Sequence, residues 1–175
     1  AKFSQSLPII IDSSSLGNAF EYSAYHSLSE DVVGSVKFLA QAINGLEGED
    51  TRISSRLFIP SNRLRGFNTR KVGPKDGENY IGGNYVTALN FEAALPNLLP
   101  ESTETDISLF MDVGNVWHVD YSESVDDSNK VRSSVGVAID WYTLIGPVNF
   151  SLAQPITKAS TDKTETFRFQ IGTTF

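Results

Sequence analysis

The sequence predicts an all-β protein: an antiparallel, up-and-down transmembrane β-barrel with about eight strands. Three observations point there. Apolar and polar residues alternate with period two through most of the chain. The alternating runs follow one another with short and long connections in turn, the pattern of barrels with tight turns at one rim and long loops at the other. The non-apolar face of the runs carries Ser, Gly, Gln, Asn and Ala, where a water-facing sheet would carry Lys and Glu. Periodicity alone fits a soluble sandwich or a lipocalin-like barrel equally well. The composition of the polar face favours the membrane barrel.

Taken in order, residues 1–11 are rich in β-formers and contain Pro8, which suits an edge or bulged strand. Residues 12–18 are turn chemistry. Residues 19–28 set Phe20, Tyr22 and Ala24 against Glu21, Ser23 and Tyr25, and 29–31 form a tight turn. Residues 32–43 alternate again, with Val36, Phe38 and Ala40 opposite Ser35, Lys37 and Gln41. Val33, Val36, Leu39 and Ala40 also fit helical spacing, but Gly34 and the β-branched content favour a strand. Residues 47–82 have no sustained period, with a short strand expected at 52–59. Residues 84–95 place Val86, Ala88, Asn90, Glu92 and Ala94 on one face. Pro96 and Pro100 bracket a turn. Residues 106–117 set Ile107, Leu109, Met111 and Val113 against Ser108, Phe110, Asp112 and Gly114. Residues 118–130 are an acidic loop. Residues 131–142 alternate most cleanly, residues 145–147 turn the chain, and 148–156 and 166–175 are the last strands, around a polar loop at 157–165. Tyr22, Tyr85, Trp117, Trp141 and Phe175 lie near strand ends, where interfacial aromatics belong.

The chain has 175 residues, enough for one domain, and 40% apolar against 20% charged residues, which is not the composition of a disordered segment. No apolar run approaches the ~18 residues of a spanning helix, a limit that does not apply to barrels. A net charge of −7 argues against a nucleic-acid partner. There is no cysteine, compatible with a Gram-negative envelope. The start, Ala1-Lys2-Phe3, has no initiator Met and no apolar leader, which reads as a processed, engineered or excised piece of a longer chain. His26 and His118 lack metal-ligand spacing. No Ser sits in a glycine elbow. Asp120, Glu123, Asp126 and Asp127 lack the order of a calcium loop and read as a solvated acidic loop. No cofactor is expected.

The stretch that demands an explanation is Leu64-Arg65-Gly66-Phe67, inside the long aperiodic segment. Compact domains rarely carry so long a connection without a function for it. The bland reading is a solvated surface loop with an ordinary arginine. The motif, however, resembles the VRGF/Y signature on the sixth extracellular loop of the outer-membrane barrel-assembly insertases (the BamA type, of the bacterial surface antigen and two-partner secretion superfamily). Val72-Gly73-Pro74-Lys75 and Ile81-Gly82-Gly83-Asn84 resemble its downstream companions. Phe110-Met111-Asp112-Val113-Gly114 fits the F-x-D-x-G strand motif of the family, and Ile145-Gly146-Pro147 with residues 166–175 resembles its final hairpin. Their order and spacing together are specific, and the resemblance covers essentially the whole chain. Two departures are Ile59-Pro60, where many members have Gly-Gly, and Ala88, where some have Gly.

The resemblance implies the C-terminal half of a sixteen-stranded barrel in the cell outer membrane of a Gram-negative bacterium, with the periplasmic POTRA domains outside this chain. It implies a non-enzymatic function: folding and inserting β-barrel proteins through a lateral gate whose weak edge is the last strand, with Gly172 loosening that strand. A two-partner secretion pore and a passive porin are the alternatives. The implied partners are outer-membrane lipid, unfolded outer-membrane clients, and accessory lipoproteins bound through the absent POTRA domains. Arg65 is expected to fold back into the lumen and pair with Asp112 and Glu92, which share the polar side of adjacent strands ~4.8 Å apart. Phe110 and Gly114 lie on that same lumen wall. Gly66 lets the tip pass closely, and Leu64 and Phe67 flank it. Phe167, Phe169, Ile171 and Phe175 share a face of the last strand and look like the C-terminal sorting signal of outer-membrane clients. Eight strands closed on themselves have a lumen filled by side chains, so closure of this chain on itself would displace the loop; whether it closes is left open by the sequence.

Overall fold

The computed structural model describes residues 2–6, 15–46, 48–96, 98–120, 125, 129–144 and 146–172. Among the described residues there are ten strands: β1 (Lys2–Ser6), β2 (Ser15–Ser29), β3 (Val32–Gly45), β4 (Lys75–Asp76), β5 (Asn79–Tyr80), β6 (Tyr85–Leu95), β7 (Thr105–Trp117), β8 (Arg132–Thr143), β9 (Gly146–Thr157) and β10 (Phe167–Ile171). Eight of them form one antiparallel sheet in the order β1-β2-β3-β6-β7-β8-β9-β10, and β4 and β5 pair separately within the long connection. The sheet is therefore wound strictly up and down, with the two-residue turn at 30–31 and the hairpin closed by the Thr143–Gly146 pair on one rim and the long connection 46–84 on the other.

Alternation settles which side chains face where. On the outer face Leu109, Met111, Val135, Val137, Leu152 and Phe169 remain between 37% and 55% exposed, and Ile171 is also exposed. On the opposite face Ser134 and Ser151 are buried. A contiguous apolar face of this extent is too large for a water-facing surface and suits lipid. Aromatics mark its borders: Tyr85 stacks near Trp117 and His118 at the long-loop rim, and Trp141 and Tyr142 stand exposed near the short turns.

The core lies between the polar face and the long connection, residues 46–84. Leu39, Val86 and Val116 of the sheet meet Ile59, Leu64, Phe67 and Val72 of the connection. Full burial of side chains such as Leu64 and Phe67 contributes about 1.5–3 kcal/mol each. Ile59 fits because Gly114 below it has no side chain: a Cβ there would lie 3.3 Å from its Cδ1. The departure at Ile59-Pro60 is thus accommodated by packing.

Several expectations are corrected. Residues 15–18 are strand, paired with 42–45, and not a turn; residues 7–14 lie outside the described set. The strand expected at 52–59 is a 3-10 turn, Ile53–Ser55, plus a single bridge between Leu57 and Gly83. This stretch crosses the sheet face, where it has no neighbouring strand edge to extend along. Gly146 and Pro147 already belong to β9, pairing with Thr143 and Tyr142, while Ile145 is not described. On the question the sequence left open, the outer edges of β1 and β10 have no partner among the described residues, so the sheet does not close and the loop stays on its inner face. An open sheet leaves its polar face free to hold the loop.

Candidate functional site: an arginine clasp on the inner face

Strand register builds the floor of the site. Asn90 pairs with Asp112 and Glu92 with Phe110 across β6 and β7; Asp112 pairs with Ser134 and Phe110 with Gly136 across β7 and β8. Because alternate residues share a face, Asn90, Glu92, Phe110, Asp112, Ser134 and Gly136 form one patch. The aromatic ring of Phe110 lies over Gly136, where an added Cβ would come within 2.5 Å of it.

The tip of the connection descends onto this patch. Arg65 donates from Nε to Asp112 Oδ2 and from Nη2 to Asp112 Oδ1, both at 2.8 Å, a bidentate fork. Its Nη1 donates to Glu92 Oε2 at 3.0 Å, and its backbone N–H to Asp112 Oδ2 at 3.0 Å. The guanidinium carbon stands 3.5 Å from the centre of the Phe110 ring, a cation–π contact. Asn90 completes the shell, donating to Asp112 Oδ1 at 2.8 Å and to the Arg63 carbonyl at 2.9 Å. The Asp112 carboxylate is fully enclosed and accepts four hydrogen bonds, so its burial is compensated. Ser134 donates its hydroxyl to the Arg65 carbonyl. Gly66 turns the tip with φ +89°, a region L side chains rarely adopt, and a Cβ there would stand 3.1 Å from Ala153 Cβ.

A second clasp lies nearer the long-loop rim. Arg132 on β8 forks onto Asp162 at 2.9 and 3.0 Å, both side chains wholly buried. Arg132 also donates to Asn115 Oδ1 at 2.7 Å, and Asp162 accepts the Ala159 N–H at 2.6 Å. The connection and the β9–β10 loop are further joined through their backbones: Asn68 N–H to Lys163 O, Lys163 N–H to Lys71 O, and Glu165 N–H to Gly66 O. Arg56 and Asp120 make a third pair, with Asn84 and the Thr51 N–H also donating to Asp120. Burial pushes the Asp120 carboxyl up, but these donors outweigh it and hold it well below the usual carboxylate range.

The structure therefore brings Leu64, Arg65, Gly66 and Phe67 together with Glu92, Phe110, Asp112 and Gly114. Phe167, Phe169 and Ile171 lie apart, exposed on the outer face of β10; Phe175 lies outside the described residues. Asp120 corrects the reading of a solvated acidic loop, since it is tied to Thr51, Arg56 and Asn84; Glu123, Asp126 and Asp127 are not described. Arg63 donates to Asn90 Oδ1 at 3.4 Å and lies 3.9 Å from Glu21. The sequence reading missed Asn90, Ser134, Arg132 and Asp162. Arg132 was findable as a lone arginine among the small inward residues of β8; nothing in the 157–165 loop marked Asp162 as its partner.

A membrane-type half-open sheet carrying an arginine-clasped loop on its inner face defines the class. The chain matches the Omp85 superfamily domain over residues 3–175 and belongs to that superfamily. It is 32% identical to the outer membrane protein assembly factor BamA of Neorickettsia risticii (strain Illinois) over 136 residues, covering 76% of this chain and 18% of that protein. Against the BamA of Neisseria meningitidis serogroup B it is 31% identical over 139 residues, 64% of this chain and 17% of that protein. In structure it is similar to the BamA of Haemophilus ducreyi lacking POTRA domains 1–3, with a TM-score of 0.81 and 26% identity, over 97% of this chain and 38% of that one. The chain thus spans about a fifth of the length of these curated relatives.

Proposed function

We propose that this chain is the C-terminal half of a sixteen-stranded outer-membrane barrel that folds and inserts client β-barrels into the outer membrane of a Gram-negative bacterium. Its work is non-enzymatic: the edge strand β10 offers unpaired backbone groups to a client strand, and the clasped loop sets the shape of the inner wall beside that edge. Accessory lipoproteins bind through POTRA domains preceding the barrel. Phe167, Phe169 and Ile171 of β10, together with Phe175, serve as the sorting signal for the barrel's own assembly. The observation that carries the reading is the fork of Arg65 on Asp112 and Glu92, which fixes a long loop to the face a lumen would occupy. The relatives named as assembly factors support it.

The test is reconstitution of the full-length protein in liposomes with an unfolded barrel client, scoring client that becomes protease-protected. Insertion by the wild type and a clear loss in Arg65→Ala is the expected result. A wild type that inserts no client overturns the reading. A secretion pore is the second reading, because the loop covers the polar face and its displacement would open a path; large conductance on loosening the loop, without client insertion, favours it.

A further inference from the structure

Arg168 is the one arginine of the gate-side strand, and its contacts point away from its own sheet. It occupies the inward position of β10 opposite Ser151. Its side chain is only 9% exposed. Nη1 donates to the carbonyl of Ser61 and Nη2 to the carbonyl of Phe67, while Nε donates to Glu165. Ser61 and Phe67 are the two ends of the turn that carries Arg65 at its tip. Gln170, two residues along the same face, adds a long contact from Nε2 to Ser61 Oγ at 3.5 Å.

The loop is thus held from two sides with opposite polarity. Toward β6 and β7 it sends out its own cation, Arg65, to carboxylates of the sheet. Toward β10 it presents neutral backbone carbonyls to a cation on the strand. Among the described residues β10 makes five residue pairs with β9, flanked by backbone bonds from Ala153 N–H to Thr166 O and from Gly172 N–H to Pro147 O. Its outer edge has no partner among the described residues. A strand paired on one side only draws part of its attachment from side-chain anchors, and two charge-assisted bonds to fixed carbonyls are a strong one.

We infer that Arg168 is a positioning residue that ties the edge strand β10 to the loop turn 61–67, so that the state of the Arg65 clasp controls how readily the edge strand frays. The inference rests on the proposed role of β10 as the edge that clients join. When the clasp holds, the carbonyls of Ser61 and Phe67 stand where Arg168 can reach them and β10 stays closed on β9. When the clasp releases, those carbonyls move off, and β10 loses its inward anchor. Arg168→Lys keeps the charge but cannot span two carbonyls and Glu165 with a planar fork.

The experiment is a double-mutant cycle in the full-length protein in lipid, read by amide hydrogen exchange of residues 167–171. Arg168→Gln should speed exchange there by about tenfold or more, and Arg168→Lys by less, as expected for the loss of two or one charge-assisted bonds. Arg65→Ala should also speed exchange in β10, but add nothing in the Arg168→Gln background, because the path between the sites is already cut. If Arg168→Gln does not assemble, the same cycle is run with Arg168→Lys. Unchanged exchange in the Arg168 variants, or additive effects of the two sites, overturns the inference. Client insertion by the wild type is scored separately: its absence sinks the assembly reading, while the cycle still decides the tie.

Discussion

Asp112 has no exposed surface and accepts four hydrogen bonds, three of them from Arg65. Truncating Arg65 to Ala leaves that carboxylate buried without its counter-charge, a loss of about 3–5 kcal/mol. The full-length Arg65→Ala protein should therefore hold its loop loosely, shown by protease cleavage within residues 61–70 and reduced client assembly. Arg65→Lys should recover only part, since an ammonium is a point donor. Arg63→Ala should cost less, because its contacts to Asn90 and Glu21 are long. Combining Arg65→Glu with Asp112→Arg tests direct pairing: the double variant should outperform both singles, and a double no better than the worse single would contradict it. Asp120 gives a pH-dependent counterpart. Its folded-state pKa is depressed, so its stabilisation is complete above the unfolded value of about 3.9 and is lost as pH falls below it. Protection of the Thr51 amide, which donates to Asp120, should accordingly fall below pH ~4 in the wild type. In Asp120→Asn that amide should already be weakly protected at neutral pH, with no further fall in the acid range.

At the scale of elements, the alternation of β7 to β10 separates lipid-facing from inward residues. An arginine in place of Leu152, which is exposed on the outer face, should destabilise by about 2–4 kcal/mol if it lies at mid-membrane. That is measured as a lower midpoint of denaturant unfolding from lipid. Deleting Phe175 from the full-length protein should reduce its own surface level through loss of the sorting strand's last aromatic; an unchanged level would argue against that role. These strands were legible in the sequence because a period of two survives wherever one side meets lipid and the other a polar lumen. Arg65, Asp112 and Glu92 were legible through the motifs, together with the faces of β6 and β7. Arg168, Arg132 and Asp162 were not. Their partners are backbone carbonyls or a residue of another loop, and a carbonyl leaves no mark in a sequence. The 52–59 stretch misled for a related reason: Ile53, Leu57 and Ile59 look like strand residues, yet Ile53 is exposed, Leu57 and Ile59 pack on the core, and beyond the single Leu57–Gly83 bridge they have no ladder to join.

For the molecule as a whole, the decisive feature is that both faces of the sheet are committed. The outer face is apolar, and the inner face carries the connection 46–84 with Leu64 and Phe67 buried against it. An eight-stranded barrel has an interior only wide enough for its own side chains. Closing β1 onto β10 would therefore require expelling the loop, breaking the Arg65 and Arg132 clasps and exposing the core they cover. A wider barrel, completed by strands from outside this chain, keeps all of these contacts. The isolated 175-residue chain should consequently resist self-closure. The chain has no cysteine, so a pair can be introduced cleanly, at Ser4 on β1 and Gln170 on β10. In the isolated chain refolded in detergent, Ser4→Cys with Gln170→Cys should give little intramolecular disulfide. A third variant, with Arg65→Ala added, should give more, because the loop is then free to leave. Efficient cross-linking of the two edges while the Arg65 clasp is intact would show that the loop and a closed eight-stranded barrel are compatible, and would remove the physical reason for assigning this chain to half of a larger one.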